Sequence, residues 1–85
     1  MATRTLAKPV GALIRQLRRE QGLSQEEFAD LCGLHRTYVG AIERGEKTVT
    51  IETAYKIVSA LNLSLSAFFL RLEQELAASQ PGESV

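Results

Sequence analysis

One stretch, LSQEEFADLCGLHRTYVGAIERG over residues 23–45, constrains the fold of this chain more than any other. Ser24, with Glu27 three residues later, is typical of a capping box and predicts the start of a helix. Apolar side chains then recur at helical spacing as far as Cys32. Gly33 follows, where a left-handed backbone residue would end the helix. The first half of the stretch therefore predicts a short amphipathic helix closed by a glycine turn.

A second short helix is predicted directly after that turn. Arg36, Thr37 and Gly40 share one face of the segment HRTYVGAIERG, while its valine and isoleucine face inward. Two short helices joined by a tight glycine turn, the second one displaying arginine and threonine, form a helix-turn-helix. We place this motif at residues 24–44.

Three further helices are predicted around the motif. Pro9 suits the first turn of a helix, because its missing N–H is not needed there, and apolar positions at helical spacing continue that helix to the vicinity of Gly22. Thr50 is an N-cap candidate for a fourth helix, which Asn62 would end, and Ser64 would cap a fifth. The sequence shows no strands and no repeats. The predicted fold is all-α, a compact five-helix bundle.

Length and composition limit the possible functions. With 85 residues the chain has room for one small domain with one core. A single cysteine forms no internal disulfide, and one cysteine with one histidine falls short of a metal site, so we expect neither a metal nor a cofactor. No apolar run approaches the ~20 residues that span a membrane, and the first residues, MATRTLAKP, lack the apolar stretch of a signal peptide. We therefore expect a cytoplasmic protein without a membrane segment.

The formal net charge is zero, which at first argues against nucleic-acid binding. The charges are unevenly distributed, however: residues 1–50 hold eight Lys and Arg against six acids, and residues 51–85 hold two against four. This modest asymmetry permits local phosphate binding. A single copy would still bind DNA poorly, because phosphate neutralisation supplies most of the non-specific affinity.

The motif and the segment TIETAYKIVSALNLSLSAFF after it resemble the lambda-repressor/Cro-type (XRE-like) helix-turn-helix transcriptional regulators. The elements S-Q-E-x-x-A, G-x-x-x-x-Y, I-E-x-G and A-L-x-x-S occur in order and at matching separations over roughly residues 10–72. The HRTY and IERG segments and the Phe-Phe helix look most like the controller proteins of restriction–modification systems. The resemblance implies a lambda-repressor-like DNA-binding domain and a homodimer that binds a pseudo-palindromic operator in double-stranded DNA.

Three residues are candidates for reading bases. Arg36 and Thr37 occupy the first turn of the recognition helix, which is the part that reaches base edges. Arginine chelates guanine O6 and N7, and threonine pairs with a polar edge or touches a thymine methyl group. A solvated surface pair is the alternative. Gly40, one turn further on, either admits close approach of DNA or packs against a neighbour.

Four residues are candidates for contacts with the DNA backbone, as the resemblance implies. Gln25 begins the first helix of the motif, where the family's glutamine contacts a phosphate and braces side chains of the recognition helix. A polar residue at the helix start that merely faces water is the alternative. Tyr38, Arg44 and Lys47 correspond to positions that grip the backbone on either side of the groove. A half-buried core aromatic is the alternative for Tyr38, and Glu46 beside the lysine would repel phosphate.

Other polar residues are interpreted as structural. The resemblance pairs Arg18 with Glu43 in an ion pair that ties the first helix to the end of the third. We interpret Cys32 as a small buried apolar residue and His35 as a capping or exposed residue at the start of the recognition helix.

The fifth helix carries the predicted dimer interface, which consists of Leu65, Phe68, Phe69 and Leu72. Neighbouring residues of a helix differ by about 100° in direction, so the two phenylalanines do not face the same way. One of them should enter the core of the monomer and leave the other for a partner subunit, across an isologous two-fold interface.

The sequence therefore predicts a flexible N-terminal arm at residues 1–8, a DNA-binding and dimerisation domain at 9–78 and a disordered tail at 79–85. The expected function is sequence-specific regulation of transcription, with restriction–modification genes as the target the resemblance favours. A phage-type or general repressor of the same fold, or an antitoxin-like protein-interaction module, are the alternatives. We expect no enzymatic activity, since no phosphate-binding glycine loop is present. The operator and the choice between repression and activation, which would add RNA polymerase as a partner, stay open.

Overall fold

The computed structural model describes residues 5–79 of the chain. These residues form five helices and no strand: α1 (Ala7–Glu20), α2 (Gln25–Cys32), α3 (Arg36–Glu43), α4 (Ile51–Ala60) and α5 (Leu65–Ser79). The all-α, five-helix prediction is confirmed, and α2 and α3 occupy the range assigned to the helix-turn-helix.

The start of α1 corrects the predicted domain boundary. The helix begins at Ala7 instead of Pro9, because the hydroxyl of Thr5 accepts a hydrogen bond from the Ala7 N–H at 3.0 Å and so satisfies a donor of the first turn. Lys8 therefore belongs to α1, not to an arm. The rest of the predicted arm, residues 1–4, lies outside the described residues, as do residues 80–85 of the predicted tail. Ser79 is the last residue of α5.

The predicted helix boundaries in the middle of the chain rest on observed caps. The hydroxyl of Ser24 accepts from the Glu27 N–H at 3.0 Å, and the Glu27 carboxylate accepts from the Ser24 N–H at 2.9 Å, which completes the capping box. Gly33 adopts the left-handed conformation at the end of α2, with φ of 70°. Thr50 caps α4, and the hydroxyl of Ser64 accepts from the first turn of α5.

All five helices contribute to one hydrophobic core. α1 packs against α3 and α5, α2 packs against α3 and α4, and α4 packs against α5. The buried members are Leu13, Ile14, Leu17, Phe28, Ala29, Cys32, Val39, Ile42, Ile57, Val58, Leu61, Phe68 and Leu72. α1 and α4 thus hold the two helices of the motif from the core side, and α5 supports α1 and α4 in turn.

α1 crosses the end of α3 at close range, with Gly11 at the crossing. A Cβ atom at Gly11 would overlap the carbonyl oxygen of Ile42 and lie 2.9 Å from that of Glu43. Glycine is therefore needed at this crossing, because a larger residue would push α1 away from α3, the recognition helix.

No single helix among residues 5–79 is long and apolar enough to cross a membrane. Only α4 and the segment Leu65–Ala78 meet that length and composition as a pair, and they are bent by 95° relative to each other.

Candidate nucleic-acid interface

The first turn of α3 displays the two residues predicted to read bases. Arg36 and Thr37 are both exposed. Nδ1 of His35 accepts a hydrogen bond from the Thr37 N–H at 3.1 Å and so caps the helix, which is one of its two predicted roles. Nη1 of Arg36 lies 3.5 Å from Oε2 of Glu26 at the start of α2, in a pair that is open to solvent. The guanidinium therefore projects beside α2 and is accessible to a ligand.

Gly40, the third candidate for base reading, lies beneath two neighbouring side chains. The residue is buried, and an added Cβ atom would lie 3.1 Å from Nη1 of Arg44 and 3.5 Å from Oε1 of Gln25. These two side chains cover the glycine, which agrees with the packed-neighbour alternative, and its role toward DNA stays a prediction. The lack of a side chain at Gly40 leaves the space that the Arg44 and Gln25 side chains occupy.

A buried hydrogen-bond network connects α1, α2 and α3 beneath that surface. Nε and Nη2 of Arg18 donate to the two carboxylate oxygens of Glu43 at 2.7 and 3.0 Å, and Nη1 donates to the Leu23 carbonyl at 2.7 Å. Nε2 of Gln25 donates to Glu43 Oε1 at 3.0 Å. The pair that the resemblance implied is therefore formed, and it also holds the glutamine predicted to contact a phosphate.

Of the remaining candidates for backbone contacts, Arg44 and Lys47 lie just after α3, and Tyr38 lies within the helix. Arg44 donates through Nε and Nη2 to Glu46 at 2.9 and 3.2 Å, and both side chains are more than half exposed. The hydrogen bond raises the pKa of Arg44 and lowers the pKa of the Glu46 carboxyl. Lys47 is exposed, whereas Tyr38 is half-buried and packs against the core, as its alternative interpretation stated.

Comparison with known proteins identifies the family. The helix-turn-helix family model matches residues 14–68, which is more than half of the chain. The chain belongs to this helix-turn-helix family. The matched range holds α2, α3 and α4 completely, so the surface described above lies within it.

Relatives of this helix-turn-helix protein include proteins that control restriction–modification systems. Control protein C.SmaI from Serratia marcescens is 43% identical over 58 residues, which cover 68% of this chain and 69% of that protein. The crystal structure of the wild-type restriction-modification controller protein C.Esp1396I superimposes with a TM-score of 0.82 and 33% identity, over 89% of this chain and 99% of that one. A second structure shows the C.Esp1396I tetramer in complex with its natural 35 base-pair operator, with a TM-score of 0.79, 34% identity and coverage of 86% and 96%.

The structure of α5 corrects part of the dimer interface assigned to this helix-turn-helix protein. Phe68 is 2% exposed and Leu72 is 4% exposed, so both belong to the core of the monomer and not to an interface. Phe69 is 40% exposed and meets the neighbouring ring edge-on, with centroids 5.8 Å apart. Leu65 is half-buried. One phenylalanine thus enters the core and the other stays available, as predicted.

An apolar groove lies beside the exposed phenylalanine. Its volume is about 200 Å³, and Leu6, Val10, Val49, Ile51 and Phe69 are among the residues that line it. The groove brings the start of α1, the loop before α4 and the start of α5 to one surface. The sequence predicted only the α5 part, because the other contributors come from distant segments.

The single thiol has the properties of a packing residue. Cys32 is buried in the core, and desolvation by burial raises its pKa to about 11. A thiol with that pKa stays protonated and unreactive at neutral pH. Among residues 5–79, no three histidine, cysteine or acidic side chains are grouped so as to hold a metal ion.

Proposed function

We propose that this chain is a sequence-specific double-stranded DNA-binding regulator of transcription that acts as a homodimer, in the manner of restriction–modification controllers. The observation that carries the proposal is the accessible pair Arg36 and Thr37 on the first turn of a recognition helix that the core and a buried ion pair hold in place. The relatives add support, since one is named a control protein and another was solved with its operator. In this role α3 enters the major groove and its first turn contacts base edges.

Selection of bound sites from random duplexes tests the proposal directly. A regulator of this kind should recover a pseudo-palindromic site with half-sites about 34 Å apart, close to one helical turn of DNA. On that site, Arg36→Ala and Thr37→Ala should each reduce discrimination against base substitutions by about 1–3 kcal/mol. Lys56→Ala is the matched control, because it removes an exposed cation from α4 and leaves α3 intact. Recovery of no preferred sequence would refute the function.

We propose that the groove surface beside Phe69 forms the homodimer interface. A neutral chain gains little from phosphate neutralisation, so two linked recognition helices supply affinity that one does not. The exposed apolar residues at this surface, Phe69 and Ile51, are the side chains that a two-fold contact would bury. Phe68 and the other core residues of α5 stabilise the monomer and act on the interface only through its fold.

Sedimentation velocity separates these roles. Phe69→Glu should yield a folded monomer with weak operator binding. Leu31→Glu is the matched control, since Leu31 is 61% exposed on α2 and lies outside the proposed interface. A dimer that persists in Phe69→Glu, or a monomer in Leu31→Glu, would contradict the assignment. If the wild-type dimer activates transcription from a promoter that carries the selected site, RNA polymerase is a further partner. This role agrees with the predicted cytoplasmic location.

A further inference from the structure

One side of α1 presents three cations to solvent. Lys8, Arg15 and Arg19 are all exposed, and they are separated by seven and four residues. In a helix of 3.6 residues per turn, that spacing brings them to the same side. Ala12 is also exposed on this side, between Lys8 and Arg15, and it is too small to screen them. Lys8, Arg15 and Arg19 thus form a cationic face of α1.

No carboxylate within residues 5–79 forms a salt bridge with this face. The other arginines in that range are each paired with an acid: Arg18 with Glu43, Arg36 with Glu26, Arg44 with Glu46 and Arg71 with Glu20. Glu20 and Glu43 do line the surface depression that Arg15 and Arg19 also line. Both are already engaged, however, because Glu43 is neutralised by Arg18 and Glu20 accepts from Gln16 and Arg71. The cationic face is therefore available to an anion without breaking an ion pair.

The cationic face lies beside the end of α3 and on the far side of α1 from the apolar groove. A Cβ atom added at Gly45, two residues after α3, would lie 2.6 Å from Cγ of Lys8. Glu43, the last residue of α3, lines the depression next to Arg15 and Arg19. Val10 lines the groove instead. It follows Lys8 by two residues and so points about 200° away around the helix. The cationic face thus borders the recognition helix and is directed away from the proposed dimer interface.

We propose that the cationic face of α1 binds phosphates of the DNA that flanks each half-site, on the side away from the dimer axis. This inference rests on the proposed function and on the proposed interface, and it extends the DNA-binding surface beyond the helix-turn-helix. Lysine and arginine that neutralise phosphates add affinity without reading sequence. Arg36 and Arg44 each have a carboxylate that competes with DNA, whereas this face has none. Its contribution requires a duplex that continues past the half-site occupied by α3.

Two labelled duplexes test the proposal. Both carry the site selected by the wild-type protein; the short one ends at the outer edges of the half-sites, and the long one continues for about one helical turn of arbitrary sequence on each side. The wild type should bind the long duplex more tightly. This advantage should shrink about threefold for each phosphate contacted as KCl rises from about 50 to 200 mM.

Arg15→Gln/Arg19→Gln removes two of the three charges of the cationic face. On the long duplex, the slope of log K against log[KCl] should become shallower by about 0.9 for each phosphate that the variant no longer neutralises. On the short duplex, its affinity should stay within about twofold of the wild type, because separated charges are screened by salt. The ranking of base substitutions in the site should not change, since the first turn of α3 is untouched.

Two control proteins separate the cationic face from total charge and from folding. Arg15→Lys/Arg19→Lys keeps both charges and should keep the advantage of the long duplex. Lys56→Gln removes an exposed cation from α4, outside the cationic face, and should also keep it. Glutamine and lysine have nearly the helix propensity of arginine, so the thermal midpoints of all three variants should match that of the wild type.

Several results would overturn the inference while the proposed function stands. One is a wild type that selects a site but binds both duplexes equally well. Another is an Arg15→Gln/Arg19→Gln protein that keeps the full advantage of the long duplex, or that loses as much affinity on the short one. A Lys56→Gln protein with the same loss per charge would show that only total charge matters. Failure of the wild type to select any duplex would overturn the proposed function and this inference with it.

Discussion

Removal of the Arg18 side chain should destabilise the chain far more than removal of an exposed charge. The Arg18 side chain is 10% exposed and that of Glu43 is 2% exposed. Arg18→Ala deletes three hydrogen bonds, of which two neutralise the carboxylate and one satisfies a backbone carbonyl. Only the amide of Gln25 then remains beside a buried negative charge. Breaking a buried pair in this way reduces the free energy of unfolding by about 3–5 kcal/mol, out of the ~5–15 kcal/mol that a small domain has in total.

Equilibrium unfolding in urea at neutral pH, followed by far-ultraviolet circular dichroism, measures this loss. The midpoint should fall while the slope of the transition stays unchanged, since the surface exposed on unfolding is the same. Arg44→Ala is the matched control, because the Arg44–Glu46 pair is exposed to 59% and 57% and surface pairs contribute little to stability. If Arg18→Ala lowers the midpoint no more than Arg44→Ala does, the carboxylate is not left unpaired and the reasoning fails.

A double variant separates the stability of the pair from its positioning role. An apolar pair of similar volume is often neutral or stabilising in place of a buried ion pair. Arg18→Met/Glu43→Leu should therefore recover most of the unfolding free energy that Arg18→Ala loses. Operator affinity should stay low, because Gln25 loses the carboxylate that holds its amide. Recovery of both properties would show that the network matters for the fold only.

Three further predictions concern local features. Gly11→Ala should reduce the free energy of unfolding by about 1–3 kcal/mol, measured in urea, because its Cβ atom would overlap the Ile42 carbonyl oxygen where α1 crosses α3. The backbone N–H of Ser24, and then its hydroxyl, lower the pKa of the Glu27 carboxyl below the ordinary 4.5. The stability that this carboxylate contributes is therefore present above about pH 4.5 and is lost as the pH falls through the pKa of the folded state. In thermal melts at a series of acidic pH values, Glu27→Gln should remove this decline. His35→Ala should lose about 0.5–2 kcal/mol of stability through the missing cap of α3, and His35→Ser should restore it in thermal melts.

Features set by neighbouring residues could be predicted from the sequence. The capping box at Ser24, the glycine turn at Gly33 and the caps at Thr50 and Ser64 each depend on groups within a few residues, and all four are observed. The misplaced start of α1 has the same local origin, because the Thr5 hydroxyl accepts from the Ala7 N–H ahead of the proline that was expected to open the helix.

The burial of Gly40 and the burial of Leu72 have different causes. Gly40 is covered by Gln25, fifteen positions earlier, and that contact depends on how α2 crosses α3, which no local pattern encodes. The burial of Leu72 could be predicted from the sequence, because Leu72 follows Phe68 by four residues and residues at that spacing share a helix face. Once Phe68 enters the core, Leu72 enters with it.

The zero net charge of the chain constrains how it can act on DNA. On the proposed DNA-binding surface, Arg36 has Glu26 as a partner and Arg44 has Glu46, so neither cation is available without competition. DNA of unrelated sequence must displace these carboxylates from the two arginines. Few counterions are released in return, so the non-specific affinity stays low. In the proposed complex the operator competes with both carboxylates and adds base contacts, and the second subunit of the proposed dimer repeats these interactions at high effective concentration. Because specificity is a difference between two affinities, weak attraction to ordinary DNA raises discrimination as effectively as strong attraction to the operator.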